Sequence, residues 1–153
     1  YKNIEILVVD DGSKDNSCNI IKKLAERDSR IITIFKENGG VTSARLAGLT
    51  KATGDYIGFV DGDDEIEIDM YEFLLDNALK YEADISHCGY QMVFDDGRVN
   101  YFYNTGRVVL QDRNTGLKDL LEGSFIEPGL WNKLFHKKLF SNLLNKNLMD
   151  TSI

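Results

Sequence analysis

Two spacings of apolar residues alternate along the first half of the chain. Ile4, Ile6, Leu7, Val8 and Val9 make a short run rich in β-branched residues, the pattern of a buried strand, which stops at the turn Asp10-Asp11-Gly12-Ser13. Ile20, Ile21, Leu24 and Ala25 then recur at helical spacing behind the capping residues Asp15, Asn16 and Ser17. Ile31–Phe35 predicts a second strand, and Val41–Ala52 a helix stopped by Gly54. Asp55–Val60 predicts a third buried strand, ending in Asp61-Gly62-Asp63-Asp64. Asp69 and Glu72 stand at capping-box spacing before a helix whose apolar stripe is Met70, Phe73, Leu74, Ala78 and Tyr81. Strands alternating with amphipathic helices predict βα units and a largely parallel sheet.

After Ala83 the pattern changes. Ile85–Phe94 and Val99–Tyr103 predict two strands about Asp96-Gly97, a hairpin turn. Gly116–Leu121 reads as a short helix and Trp131–Leu144 as another, with the sole proline, Pro128, near its start. The expected architecture is α/β: a βα half over residues 1–83 and a hairpin-and-helix half over 84–153, within one domain.

Composition narrows the function. A chain of 153 residues favours a single domain. Eighteen Lys and Arg against twenty-five Asp and Glu leave a net charge of −7, the wrong sign for coating nucleic acid or an anionic membrane. The apolar fraction of 42 % with 28 % charged residues fits a packed core rather than disorder. No apolar run approaches the roughly 20 residues of a membrane span. Cys18 and Cys88 cannot make a disulfide framework; they read as buried thiols of a reducing, cytoplasmic compartment.

The densest chemistry is acidic. Asp61, Asp63, Asp64, Glu65, Glu67 and Asp69 occupy positions 61–69 without a Lys or Arg among them. Carboxylates so close repel one another unless a cation sits among them. In an extended segment Asp61 and Asp63 would point to the same side. Oxygen donors without His or Cys suit a hard ion, Mg²⁺ or Mn²⁺. The competing reading is a solvated loop that caps the next helix, but open α/β sheets bind ligands at the carboxyl ends of strands, where this cluster lies. Asp10-Asp11-Gly12-Ser13 occupies the equivalent place one strand earlier; its carboxylates could accept hydrogen bonds from a base or ribose, or simply cap a helix. Asn38-Gly39-Gly40 precedes a helix carrying Arg45, and glycines there can let an anion approach free backbone N–H groups. Arg45 gains nothing from the helix dipole so near the N-terminus, which suggests a specific polar partner or a surface position. His87 and His136 lack Cys or His neighbours at metal spacing, and Trp131 serves equally as a sugar platform or a core anchor.

Taken together, three of these turns resemble family-2 glycosyltransferases: Ile6–Ser13, Asn38-Gly39-Gly40-Val41-Thr42-Ser43-Ala44-Arg45, and Gly54–Asp64, in that order and spacing. Ala83-Asp84-Ile85 and Trp131-Asn132-Lys133-Leu134-Phe135 fit the same likeness, which reaches to about Phe140. The resemblance implies the GT-A fold: Rossmann-like, a mostly parallel sheet with helices on both faces, plus an acceptor-side half of hairpin and helix. It implies that Asp11 contacts the nucleotide base, usually uracil, that Asp10 supports the turn, and that Arg45 lies near base and ribose. Asp61 would reach the ribose or the metal, Asp63 would bind the Mn²⁺ or Mg²⁺ that bridges the diphosphate, and Asp64 would support them. Trp131 falls on the acceptor side. The implied reaction is inverting transfer of a sugar from a nucleotide-sugar, commonly a UDP-sugar, to a hydroxyl of a saccharide or lipid-linked acceptor, with no nucleic acid involved. The implied place is the cytoplasm or the cytoplasmic face of a membrane. Relative to the family pattern, the chain opens just before what would be the second strand. The Glu-Asp pair that normally carries the catalytic base downstream of Trp131 is not found; Asp150, the one acid after Glu127, is the sole candidate, in unmatched surroundings.

Two other readings compete. A nucleotide-sugar-binding module without catalysis would explain the missing base. A receiver domain of two-component signalling also ends an early strand in paired aspartates, here Asp10 and Asp11, and would use Asp61 as phosphoacceptor. That fold needs a late Lys-Pro, whereas Pro128 follows Glu127, and it gives Asp63 and Asp64 no task.

Overall fold

A computed structural model describes residues 2–146. The chain folds as two compact units, one comprising residues up to Ile57 together with those from His136, the other Gly58–Phe135.

The first unit opens with β1 (Ile6–Asp10), α1 (Ser17–Arg27), β2 (Ile31–Phe35) and α2 (Gly40–Lys51). β1 and β2 are parallel, in a register that sets Ile6 beside Ile31 and Asp10 beside Phe35. The predicted βα order holds, and its residue-level causes are visible. Asp15 accepts the Ser17 amide at 2.9 Å and so starts α1. α1 packs on β2 and α2 on β1. A Cβ on Gly48 would make only ordinary contact with Val9 Cγ2, at 3.4 Å. Ile20 and Leu24, expected to face inward, stay about half exposed, while Ile21 and Ala25 are half-buried.

α2 ends at Ala52, which is extended; Gly54 is not its stop. Gly54 instead donates its amide to Glu5 Oε1 at 2.9 Å, and Thr53 adds its N–H at 2.6 Å and its hydroxyl at 3.0 Å. Burial works to raise the Glu5 pKa, but these donors outweigh it and hold the carboxyl below its ordinary range. β3 (Tyr56–Gly58) is shorter than the predicted strand and leaves Val60 exposed. The returning chain is fastened by Lys137, whose amide donates to Asp55 O at 2.8 Å and whose ammonium donates to Ala52 O at 2.7 Å. Among the described residues of this unit, Leu49, Ala52, Ile57 and Phe140 are the buried apolar ones.

The second unit contains α3 (Met70–Lys80), β4 (Ile85–His87), β5 (Tyr90–Val93), β6 (Val99–Phe102), α4 (Arg113–Glu122) and most of β7 (Lys133–His136). Leu74 and Ala78 bury α3 against β4, whereas Phe73, expected in the same stripe, is half exposed. The Asp69–Glu72 capping box does not form, for Asp69 makes no side-chain capping bond. The long strand predicted from Ile85 is broken at Cys88-Gly89 into β4 and β5; a Cβ on Gly89 would meet Phe102 O at 2.6 Å. β5 and β6 form the expected hairpin, Tyr90 opposite Phe102 and Val93 opposite Val99, and Gly97 takes a left-handed φ of 82° at its turn.

α4 is longer than predicted because Asp112 caps it, accepting the Thr115 amide at 2.8 Å. The helix predicted from Trp131 is instead a strand, a short 3₁₀ turn (Lys137–Phe140) and α5 (Ser141–Lys146). β7 lies antiparallel to β4, with Ile85 opposite Phe135 and His87 opposite Lys133. A run of four buried or half-buried residues reads alike as helix or strand, and here sheet pairing decides. Among the described residues no helix is long and apolar enough to cross a membrane.

Candidate functional site

The paired aspartates at the end of β1 have different tasks. Asp10 is buried; its Oδ1 accepts the amides of Gly12 at 3.0 Å and Ser13 at 2.9 Å. The Ser13 amide is the main reason its pKa is lowered. It therefore shapes the turn. Gly12 has φ +82°, and a Cβ there would lie 2.8 Å from the Asn38 amide nitrogen, so this position requires glycine for both conformation and space.

Asp11, the next residue, has a different set of partners. Its carboxylate accepts from the Lys36 ammonium, from the Gly39 amide at 3.1 and 3.2 Å, and from the Gly40 amide at 2.8 Å. Lys36 foremost, then the two amides, hold its pKa below the usual carboxylate range. The glycines whose free N–H groups suggested an anion site thus already serve an anion, the Asp11 carboxylate. Lys36 was not singled out from the sequence, though the register contains it: Asp10 sits beside Phe35, so the next residues, Asp11 and Lys36, are neighbours. Arg45 is carried half-buried on α2, in the helix that begins at Gly40.

In the second unit, Asp61 to Asp64 do not form the expected extended segment. The Asp64 amide donates to Asp61 O at 3.1 Å, closing a turn through Gly62 and Asp63. Asp61 is half-buried, whereas Asp63 and Asp64 are exposed. Partial burial and the charges of Asp63 and Asp61 push the Asp64 carboxyl up, which places three negative groups within one another's field. Among the described residues no three His, Cys, Asp or Glu side chains converge to enclose a metal ion. Two carboxylates are nevertheless what Mg²⁺ commonly takes from a protein when substrate oxygens and water fill its other positions, so Asp61 and Asp63 fit such an ion.

The second unit also has a polar core that the sequence did not reveal. Lys133 is buried, and its ammonium donates to Glu127 O, to Gly129 O at 2.6 Å and to Asn132 Oδ1 at 2.7 Å. Burial lowers its pKa to about 8, opposed by the charge of Glu127. Asn132 in turn donates to Cys88 O at 2.7 Å. Trp131 stands edge-on to Tyr90 with centroids 4.7 Å apart, and Tyr90 stacks on Phe102 at 4.7 Å. A Cβ on Gly129 would come within 2.4 Å of Trp131 Nε1, so Gly129 makes room for the indole.

A separate cavity of about 460 Å³ is lined by Phe73, Tyr81, His87, Tyr103, Val109 and Phe125 among others; Trp131 does not line it. Cys18 and Cys88 are free and half-buried rather than fully buried. His136 accepts the Lys138 amide at 3.1 Å and touches the Tyr56 ring, an ordinary packed histidine. Asp150 lies outside the described residues.

Comparison with known proteins gives these parts a common frame. The fold is similar to a crystal structure of Staphylococcus aureus TarS, residues 1–349, with a TM-score of 0.63 at 19 % identity, over 90 % of this chain and 39 % of that one. That likeness supports the GT-A-like, mixed α/β class. The model of glycosyl transferase family 2 matches residues 1–148, and the chain belongs to that family. It is 39 % identical over 150 residues to the glycosyltransferase GlyA of Streptococcus pneumoniae, covering 94 % of this chain and 22 % of that protein. It is 40 % identical over 146 residues to the uncharacterized glycosyltransferase EpsJ of Bacillus subtilis, covering 92 % of this chain and 42 % of that protein. The chain thus spans less than half the length of these relatives.

Proposed function

We propose that the chain is the donor-binding part of a glycosyltransferase that moves a sugar from a nucleotide-sugar, a UDP-sugar in the first instance, to an acceptor hydroxyl with inversion. Family membership is the observation that carries the reading. It is supported by acidic turns after β1 and after β3. Asp11 accepts from the base, with Asp10 holding the turn that presents it. Arg45 serves base and ribose. Asp61 and Asp63 hold Mn²⁺ or Mg²⁺, which when bound neutralises the charge of the departing diphosphate. Asp64, whose carboxyl is pushed up by burial and then by the charges of Asp63 and Asp61, supports them. Residues 84–153 take the acceptor side. The base that removes the acceptor proton is not assigned among the described residues.

The test is calorimetric titration of the protein with UDP in Mn²⁺ and again in excess chelator. Affinity should fall at least about tenfold without the ion, as when a metal site loses its ordering. Equal affinity in both conditions would remove the metal from the scheme, and no binding in either would remove the donor site. A non-catalytic binding role is separated by adding donor sugar with candidate acceptors and measuring release of free UDP.

A further inference from the structure

We propose that the outer edge of β4 is a peptide-docking site, which takes an extended, acidic peptide as an added strand. The site lies wholly in the second unit and does not depend on the donor reading. It starts from the main chain of β4. The Cys88 amide donates to Asn132 O at 3.1 Å, and Cys88 O accepts from the Asn132 side chain at 2.7 Å. Cys88 thus turns both main-chain groups toward the chain that leads into β7. Along an antiparallel strand these groups alternate in direction. Ser86, two residues earlier, therefore also faces β7, while Ile85 and His87 turn their N–H and C=O groups the other way. β4 is the last strand of its sheet, and among the described residues no strand pairs with that side.

The cavity of about 460 Å³ lies there. It borders β4 along its whole length, and no residue of β7 lines it. The helix gives the same placement. Leu74 and Ala78 of α3 face the sheet, whereas Phe73 and Asn77, each one residue back, line the cavity. One residue is roughly 100° of turn, so the space is beside the sheet rather than over its face. Val108, Val109 and Leu110 form another wall and stay 53 %, 56 % and 65 % exposed without joining a strand. Unpaired main-chain groups next to apolar side chains suit an occupant that offers both, as an extended peptide does. An acyl chain would cover the walls but leave the N–H and C=O groups of Ile85 and His87 without partners.

Charge selects the kind of peptide. Among the described residues lining the cavity, Arg107 alone carries a formal charge, and none is a carboxylate. Burial foremost, then the charge of Lys133, holds the His87 pKa below its ordinary value, so the imidazole is neutral at pH 7. Arg107 makes no ion pair among the described residues, although the chain carries a net −7. An acidic side chain on the added strand would meet that guanidinium.

The experiment titrates the protein with two acetylated, amidated pentapeptides, one alternating valine with aspartate and the other valine with lysine, and follows the backbone amides by NMR. The aspartate peptide should shift the Ile85 and His87 amides and bind at least about tenfold more tightly than the lysine peptide. Binding by neither, shifts that spare both amides, or a lysine peptide that binds equally well would overturn the proposal. Ile85→Pro removes one outward N–H without touching the ladder to β7, and should weaken the aspartate peptide about fivefold. An unchanged affinity would overturn the proposal. If that variant does not fold, Arg107→Glu, on an exposed residue, carries the test: it should invert the order of the two peptides, and an unchanged order would overturn the proposal. Sedimentation without peptide tests the other occupant. A dimer that Ile85→Pro disperses would give the edge to a second copy and overturn the proposal, whereas a monomer, or a dimer left intact by that substitution, supports it.

Discussion

A carboxylate acts through whatever donors surround it, and the aspartates of this chain separate on that ground. Asp10 spends one oxygen on the turn, whereas Asp11 is ringed by an ammonium and two amides. Removing Asp11 takes the anchor from the loop at Gly39 and, under the proposed function, the acceptor from the base. Asp11→Ala should relax discrimination among UDP, CDP and ADP, read as a ratio of dissociation constants; an unchanged ratio would take Asp11 out of the base pocket. Asp63 is different, being exposed on a turn with no packing duty. Asp63→Ala should leave the melting temperature within about a degree or two, as surface substitutions do. It should also weaken Mn²⁺-dependent UDP binding at least about tenfold. Normal binding by that variant would place the ion elsewhere.

Among elements, the glycines show where the chain has no room. A Cβ on Gly58 would lie 2.4 Å from the Tyr71 ring, while one on Gly62 would meet nothing within 4 Å. Gly58→Ala should cost about 1–3 kcal/mol in urea unfolding, the usual cost of overpacking, and Gly62→Ala much less. A comparable loss at both sites would mean that Tyr71 moves aside freely. Much at this scale was legible in the sequence. β2 starts and stops where its β-branched run does, and the Asp96-Gly97 hairpin forms as its turn residues require. What was not legible depended on partners distant in the chain. The run at Lys133–His136 became a strand because β4 offered its edge, and Lys133 could be buried because the carbonyls of Glu127 and Gly129 turn toward it. The same holds for the site: the acidic turns announced themselves, but Lys36 emerged only from the register of β1 and β2.

For the whole molecule, Lys133 ties stability to pH. Its folded-state pKa of about 8 lies below the ordinary 10.5, so between those values the unfolded chain binds more protons than the folded one. Stability from this group therefore rises with pH across that window and is least below it. Lys133→Met should abolish that rise, seen as a flatter dependence of unfolding free energy on pH between about 8 and 10. The slope is the readout, because the variant also leaves two inward-turned carbonyls unpaired. A slope unchanged by the substitution would show that the lysine titrates normally.

Glu5 has a reach of another kind. By holding Thr53 and Gly54, 48 and 49 positions away, its carboxylate makes the stretch between them a closed ring. Such a closure becomes only slowly more costly with length, by about 0.6 kcal/mol for each doubling. A ring also survives one cut. Severed at the exposed Ser29–Arg30 corner, this one would open into two pieces still clasped at Glu5 and still laddered from β1 to β2, which makes that corner a natural place for relocated chain ends.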